Sequence, residues 1–224
     1  MTIIVLLCAA YARWIEPTWL CVKRVQLAAA PTLRVIHITD IHFTGDTQYL
    51  EKVVAVINGL DADFVCFTGD LIEESTFLDD ALRILGKVNK PIYGVAGNHD
   101  QWALRSFDKI ITAFRQTGGD WLSRHTVLVP AKRVALLTRT SRHEPTPAGY
   151  KRVLLDHHPD HIAQLKDAQF DLALAGHTHA GQCRIPFVHF LMAGQIATPI
   201  VKGCSRHPAV RCMSIPALAR FICR

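Results

Sequence analysis

The feature that most constrains this chain is a recurrent pattern. Short β-branched, apolar runs each end in a polar cluster of Asp, Asn, Gly and His, and amphipathic stretches lie between them. Leu33–Thr39 runs into Asp40-Ile41-His42, and Asp63–Thr68 into Gly69-Asp70. Pro91–Ala96 ends at Gly97-Asn98-His99-Asp100, Arg152–Leu155 at Asp156-His157-His158-Pro159, and Phe170–Ala175 at Gly176-His177-Thr178-His179. Uninterrupted apolar runs of this length read as strands buried on both faces. Between them, Leu50, Val53, Val54, Ile57 and Leu60 keep one helical face apolar, as do Phe77, Ala81, Ile84, Leu85 and Val88. Phe107, Ile110, Ile111 and Phe114 mark a third helix, stopped by Gly118-Gly119, and a short helix runs to about Ala168. Strands alternating with helices predict an α/β fold.

Asp and Asn also cap helices, and Gly-Asp makes turns, so each cluster alone has a structural explanation. Five of them after five strands are hard to produce by capping. Open α/β sheets place ligands beyond the carboxyl ends of their strands, and neutral imidazole is the commonest protein ligand for transition metals. The pattern therefore predicts a metal site assembled from strand ends.

These motifs, spread from Asp40 to Gln182, resemble those of the calcineurin-like metallophosphoesterases. The resemblance implies a four-layer α-β-β-α sandwich of two mixed sheets, with a dinuclear site at the strand ends. It implies Asp40, His42 and His179 as ligands of one metal, Asn98, His157 and His177 as ligands of the other, and Asp70 as the bridging carboxylate. His99 matches the histidine beside the scissile phosphate. Mixed imidazole and carboxylate ligands suit two divalent ions drawn from Mn, Fe, Zn or Co better than Ca. Such a pair, about 3.5–4 Å apart, clamps a phosphoryl group and activates water for attack on phosphorus. His99 would bond a phosphate oxygen and protonate the leaving group. Of His157 and His158 one is expected to be a ligand, because adjacent side chains on extended backbone diverge; the family pattern selects His157.

A narrower resemblance rests on Trp14-Ile15-Glu16-Pro17, Thr39–His42, His157–Asp160, Gly176–Gln182 and Arg184–Phe187. It points to membrane-associated phosphodiesterases that include lipid A pathway enzymes cleaving UDP-2,3-diacylglucosamine. The chain departs from the pattern at Ala180, where Gly is usual, and at Asp156, where a small or hydroxylated residue is expected. It is also short between Asp100 and His157 and between Phe187 and Lys202. The expected activity is hydrolysis of an amphiphilic or nucleotide-type phosphoester. A nuclease-type phosphodiesterase and a non-catalytic scaffold retaining the fold are the alternatives, and the filled ligand positions favour an enzyme.

The 224 residues are read as a leader, 1–30, and one metallophosphoesterase domain, 31–224. Met1–Ala12 is uncharged and apolar, and Trp14, Trp19 and Lys23-Arg24 follow. Twelve helical residues reach roughly 18 Å, short of the ~30 Å hydrocarbon core. The leader is a clipped anchor, a peripheral contact on the bilayer, or a buried first element. Seven cysteines without a Cys-x-x-Cys pair argue against a disulfide framework and a structural zinc site, which fits a cytoplasmic location at the inner face of the membrane. The net charge of +6 is uneven. Arg124, Lys132, Arg133, Arg139, Arg142, Lys151 and Arg152 face only Glu144 between Trp121 and Arg152, and five basic residues and no acidic one follow from Lys202. A basic surface favours anionic partners: the phosphoester, a lipid head group or, less favoured, nucleic acid.

Overall fold

The computed structural model describes residues 20–165, 169–178 and 217–223, the last as backbone only. Among these residues ten strands form two sheets. The six-stranded sheet has the order β1 (Cys21–Gln26), β10 (Ala217–Cys223), β2 (Leu33–Ile38), β3 (Phe64–Phe67), β4 (Ile92–Gly94), β5 (Asp120–Trp121). All its pairings are parallel except β1 with β10. The four-stranded sheet runs β6 (Val127–Val129), β7 (Val134–Leu137), β8 (Lys151–Leu155), β9 (Leu172–Leu174), antiparallel only at β6–β7. Among the described residues five α-helices accompany them: α1 (Thr47–Gly59), α2 (Leu78–Leu85), α3 (Asn98–Ala103), α4 (Asp108–Gln116) and α5 (Pro159–Gln164).

The strand sequences explain the layering. On β2 and β3, Ile36, Ile38, Val65 and Phe67 turn to one face and join the buried stripes of α1, α2 and α4, among them Leu50, Ile57, Ile84 and Phe114. Their alternates Leu33, Val35, Phe64 and Cys66 meet Val134, Leu136, Val153 and Leu155 of the second sheet. On the far side, Ala135, Leu137 and Leu154 pack with Ile162 of α5, Leu165 and Phe170. Three apolar seams thus separate four layers, the α-β-β-α sandwich expected. Cys66 is fully buried, as its apolar run predicts, and burial pushes its thiol pKa up.

Three elements differ from the expectation. Strand β1 lies inside the stretch read as leader and is bonded along its length to β10; the single charged pair Lys23-Arg24 concealed its strand pattern. The segment Gly97–Asp100 is not only a strand-end loop. It begins helix α3, so that Asn98 and His99 sit in a first turn that Asp100 closes by accepting from the Gly97 N–H at 3.0 Å. The third strand is also shorter than predicted, Ile92–Gly94, although the Val95 N–H still bonds Phe67 O at 3.0 Å. The membrane-contact residues of the leader, Met1–Ala12 with Trp14 and Trp19, lie outside the described residues. Among the described residues no helix is long and apolar enough to cross a membrane.

Candidate metal centre

Parallel pairing of β2, β3 and β4 brings their carboxyl ends to one edge, and β8 and β9 deliver theirs to the same edge from the second sheet. The first two loops are laced together by backbone bonds: Asp40 N–H to Gly69 O, His42 N–H to Asp70 O, and Phe43 N–H to Leu71 O, all 2.8–2.9 Å. The backbone is strained where it turns. Of the five non-glycine residues with positive φ among the described residues, four are Asp40 (53°), His42 (46°), Asp70 (59°) and His177 (69°). Such conformations cost about 1–3 kcal/mol each and persist where surroundings enforce them.

Asp100 is one enforcer. Its carboxylate, fully buried, accepts from the N–H groups of Asp70 (2.9 Å), Leu71 (2.8 Å) and Gly97 (3.0 Å), which fixes the second loop against the third. Burial raises its pKa even though these donors oppose the rise. Close approach explains Gly97: a Cβ there would lie 2.0 Å from Asp70 Oδ1.

The side chains converge within this frame. Asp70 Oδ2 stands between His42 Nε2 (3.5 Å) and His157 Nε2 (3.2 Å), while Oδ1 accepts from the His99 N–H (2.9 Å). Asp40 accepts from the His177 N–H at 2.9 and 3.1 Å, and its Oδ1 is 4.0 Å from His42 Nε2. Asn98 Oδ1 lies 2.9 Å from His157 Nε2 and 3.1 Å from His177 Nδ1. Asp40, His42, Asp70, Asn98, His99, His157 and His177 are therefore gathered at one edge; His179 lies outside the described residues.

His157 decides what this gathering can hold. Its Nδ1 lies 2.7 Å from Thr68 O. A carbonyl oxygen only accepts, so Nδ1 carries the hydrogen and, in the neutral ring, Nε2 is a lone pair. That lone pair faces Asp70 Oδ2, Asn98 Oδ1 and, at 3.3 Å, His177 Nδ1. Asp70 Oδ2 and Asn98 Oδ1 are acceptors facing that lone pair, an arrangement that a cation or an extra proton among them satisfies, while His177 Nδ1 takes either role according to its tautomer. Without a metal a proton serves: burial alone would lower the His157 pKa, but the hydrogen bond and charge of Asp70 outweigh it and raise the pKa. Burial would likewise raise Asp70, and His157, the His99 N–H and His42 together lower it. The donor set of carboxylate, amide oxygen and imidazole fits divalent transition ions.

Three groups of donor atoms, each within 4.8 Å of one another, occur among the described residues: Asp40, Asp70 and His157; His42, Asp70 and His99; and His157, His158 and His177. The last corrects the expectation that His158 diverges from its neighbour. Its ring centroid lies 4.0 Å from that of His177 and 4.9 Å from that of His157, although its backbone is extended just before α5. His158 is held there by Asp156, the residue that departs from the family pattern, which accepts from the His158 N–H (2.9 Å) and lies 3.2 Å from His161 Nδ1. Burial, then the neighbouring imidazoles His177, His157 and His161, lower the His158 pKa to about 4.

Sequence reasoning passed over Glu73. Its two oxygens hold His42 Nδ1 at 2.5 Å and His99 Nδ1 at 2.7 Å, orienting a predicted ligand and the predicted phosphate-side histidine together. The only signal was its place three residues after Asp70. Beyond His157 and Asp156 opens a cavity of about 280 Å³ with an apolar wall of Val95, Phe107, Trp121 and Leu122 and a rim that includes Gln101 and Arg139.

Comparison with known proteins agrees with this geometry. The phosphodiesterase YaeI of Escherichia coli (strain K12) is 27% identical over 200 residues, covering 80% of this chain and 73% of YaeI. The uncharacterized metallophosphoesterase YkoQ of Bacillus subtilis (strain 168) is 23% identical over 201 residues, 81% of this chain and 74% of YkoQ. The crystal structure of Pseudomonas putida nuclease MPE overlaps 53% of this chain and 57% of its own at 19% identity and a TM-score of 0.30, too slight a likeness to bear on function. Residues 33–181, from the start of β2 to just past His177, match the family model described as Calcineurin-like phosphoesterase, and the chain belongs to that family of metal-dependent phosphoester hydrolases.

Proposed function

We propose that this protein is a phosphodiesterase or pyrophosphohydrolase that works with two divalent cations, manganese among the candidates. Asp40, His42 and His179 would hold one ion, Asn98, His157 and His177 the other, and Asp70 both. When bound, the ions supply positive charge that polarises the phosphoryl group, lowers the pKa of the attacking water and neutralises the transition state. The observation that carries this reading is the convergence of lone pairs on His157 Nε2, with Asp70 Oδ2 set between two imidazoles. The chain's own residues do the rest. Glu73 fixes the His99 ring through Nδ1, which leaves Nε2 as the atom to reach a phosphate or leaving-group oxygen. The Thr68 carbonyl fixes the tautomer of His157, and the Asp40 carboxylate fixes the loop that bears His177. The cavity beside His157 has room for an ester arm, which favours a diester over a simple phosphate.

Two finer readings go with this. An amphiphilic substrate, such as a lipid-linked nucleotide of the lipid A type, is supported by the apolar start of the chain with its tryptophans and Lys23-Arg24, which suit peripheral contact at the inner face of a membrane. Nucleic acid is the less favoured substrate. Several cations of the basic middle segment serve within the fold: Lys132 pairs with Asp63 (2.6 Å) and Lys151 with Asp171 (3.1 Å). Arg152 bonds Thr146 and the Arg142 carbonyl.

The test is metal analysis of the purified protein, followed by rates on bis(p-nitrophenyl) phosphate and p-nitrophenyl phosphate with added Mn. Two bound equivalents and preferential diester hydrolysis are expected; bound metal without hydrolysis of either ester indicates the scaffold alternative. Flotation with anionic liposomes, comparing the full chain with one lacking residues 1–24, tests the membrane reading, and equal partitioning overturns it.

A further inference from the structure

The two tryptophans among the described residues have opposite surroundings. Trp121 is 3% exposed, whereas Trp102 is 75% exposed. An indole left in water forgoes the burial that large apolar side chains ordinarily gain. Trp102 is not at a random surface position. It lies three residues after His99 on α3, so the two share a helical face, and their ring centroids are 4.9 Å apart at 50°. The indole therefore flanks the ring assigned to the scissile phosphate.

From this juxtaposition we infer that Trp102 is a stacking platform for a flat aromatic group, a nucleobase, borne by the substrate; the inference rests on the phosphodiesterase reading above. An acyl chain would need a continuous apolar surface, but along the chain around Trp102 the exposed residues are Gln101, Arg105 and Ser106, while the apolar Ala103, Leu104 and Phe107 are partly buried against the core. A base requires only one flat face, and the polar and cationic neighbours suit the sugar and phosphate of a nucleotide.

The experiment compares AMP, ribose 5-phosphate and octyl phosphate as ligands of the full chain. Affinities are measured by quenching of tryptophan fluorescence, and by inhibition of bis(p-nitrophenyl) phosphate hydrolysis in the presence of Mn. AMP and ribose 5-phosphate differ only in the base. Stacking on an aromatic side chain is worth about 5- to 150-fold in affinity, so AMP is expected to bind tighter than ribose 5-phosphate by that order. Trp102→Ala should erase the difference by weakening AMP alone, and Trp102→Phe should keep part of it. The proposal is overturned if the wild type shows no preference for AMP, if the preference survives in Trp102→Ala, or if that variant weakens both ligands equally. A Trp102-dependent gain for octyl phosphate instead of AMP also overturns it, in favour of an acyl chain. Failure of every variant to hydrolyse the diester, with the AMP preference intact, would count against the phosphodiesterase reading while leaving the platform standing.

Discussion

The two sheets reach the site with different kinds of support. Loops from the six-stranded sheet are joined by main-chain bonds and by Asp100, whose partners belong to the backbone. Loops from the four-stranded sheet are joined to that frame by groups of the expected ligand residues themselves: His157 through its ring to Thr68 O, and His177 through its N–H to Asp40. The first half is a scaffold that would keep its shape when a ligand side chain is removed. In the second half, His157 is anchored by the same ring that is expected to bind metal, so replacing it disturbs both, whereas a replacement at His177 keeps the N–H that Asp40 holds.

The variant with the largest expected effect acts where the halves meet. Asp70→Asn keeps an oxygen for the His99 N–H but removes the charge set between His42 and His157. Activity on bis(p-nitrophenyl) phosphate should fall well beyond the roughly 10–100-fold typical of residues behind the ligands, and metal content should fall with it. Two retained metals and full activity would end the idea that Asp70 joins the halves. Next comes His99→Ala, expected to lose turnover by on the order of 10²–10⁴ at unchanged metal content, since Asn98 supplies the ligand of that loop. A lost metal equivalent would make His99 a ligand.

Asp100→Ala tests the scaffold half directly. It leaves three backbone N–H groups without their carboxylate, and orphaned buried donors cost about 1–3 kcal/mol each. A fall in the urea midpoint equivalent to roughly 3 kcal/mol or more is expected, and an unchanged midpoint would show that the backbone bonds suffice. Glu73→Ala should lower kcat about 10–100-fold through two misoriented rings, with little change in stability. The smallest effect is expected from His158→Ala, which should keep both metals and most activity, whereas His157→Ala loses one equivalent. The reverse pattern would exchange their roles.

What was legible in the sequence follows the same division. Strand runs and helical stripes are local signals, so an α/β fold and its loops could be read directly, whereas the four-layer sandwich followed only from the family resemblance. The predicted ligands were visible because each follows an apolar strand. Glu73 and Asp100 were not singled out, although Asp100 stands in one of those motifs and Glu73 three residues beyond another. Each acts on groups 26–31 residues away, and only the parallel pairing of β2, β3 and β4 reveals them. The divergence expected of His157 and His158 failed although the His158 backbone is extended: Asp156 accepts from the His158 N–H, and the ring settles beside that of His177.

The left-handed backbone at Asp40, His42, Asp70 and His177 carries a practical consequence for engineering. Glycine relaxes such a conformation, and asparagine tolerates it better than most residues. A library of this protein selected for thermal resistance alone, with no metal added, should therefore enrich glycine and asparagine at these four positions. Its winners would be the more robust proteins and the poorer enzymes. Heat tolerance would be an unsafe proxy for function in this chain unless every round of selection also required turnover.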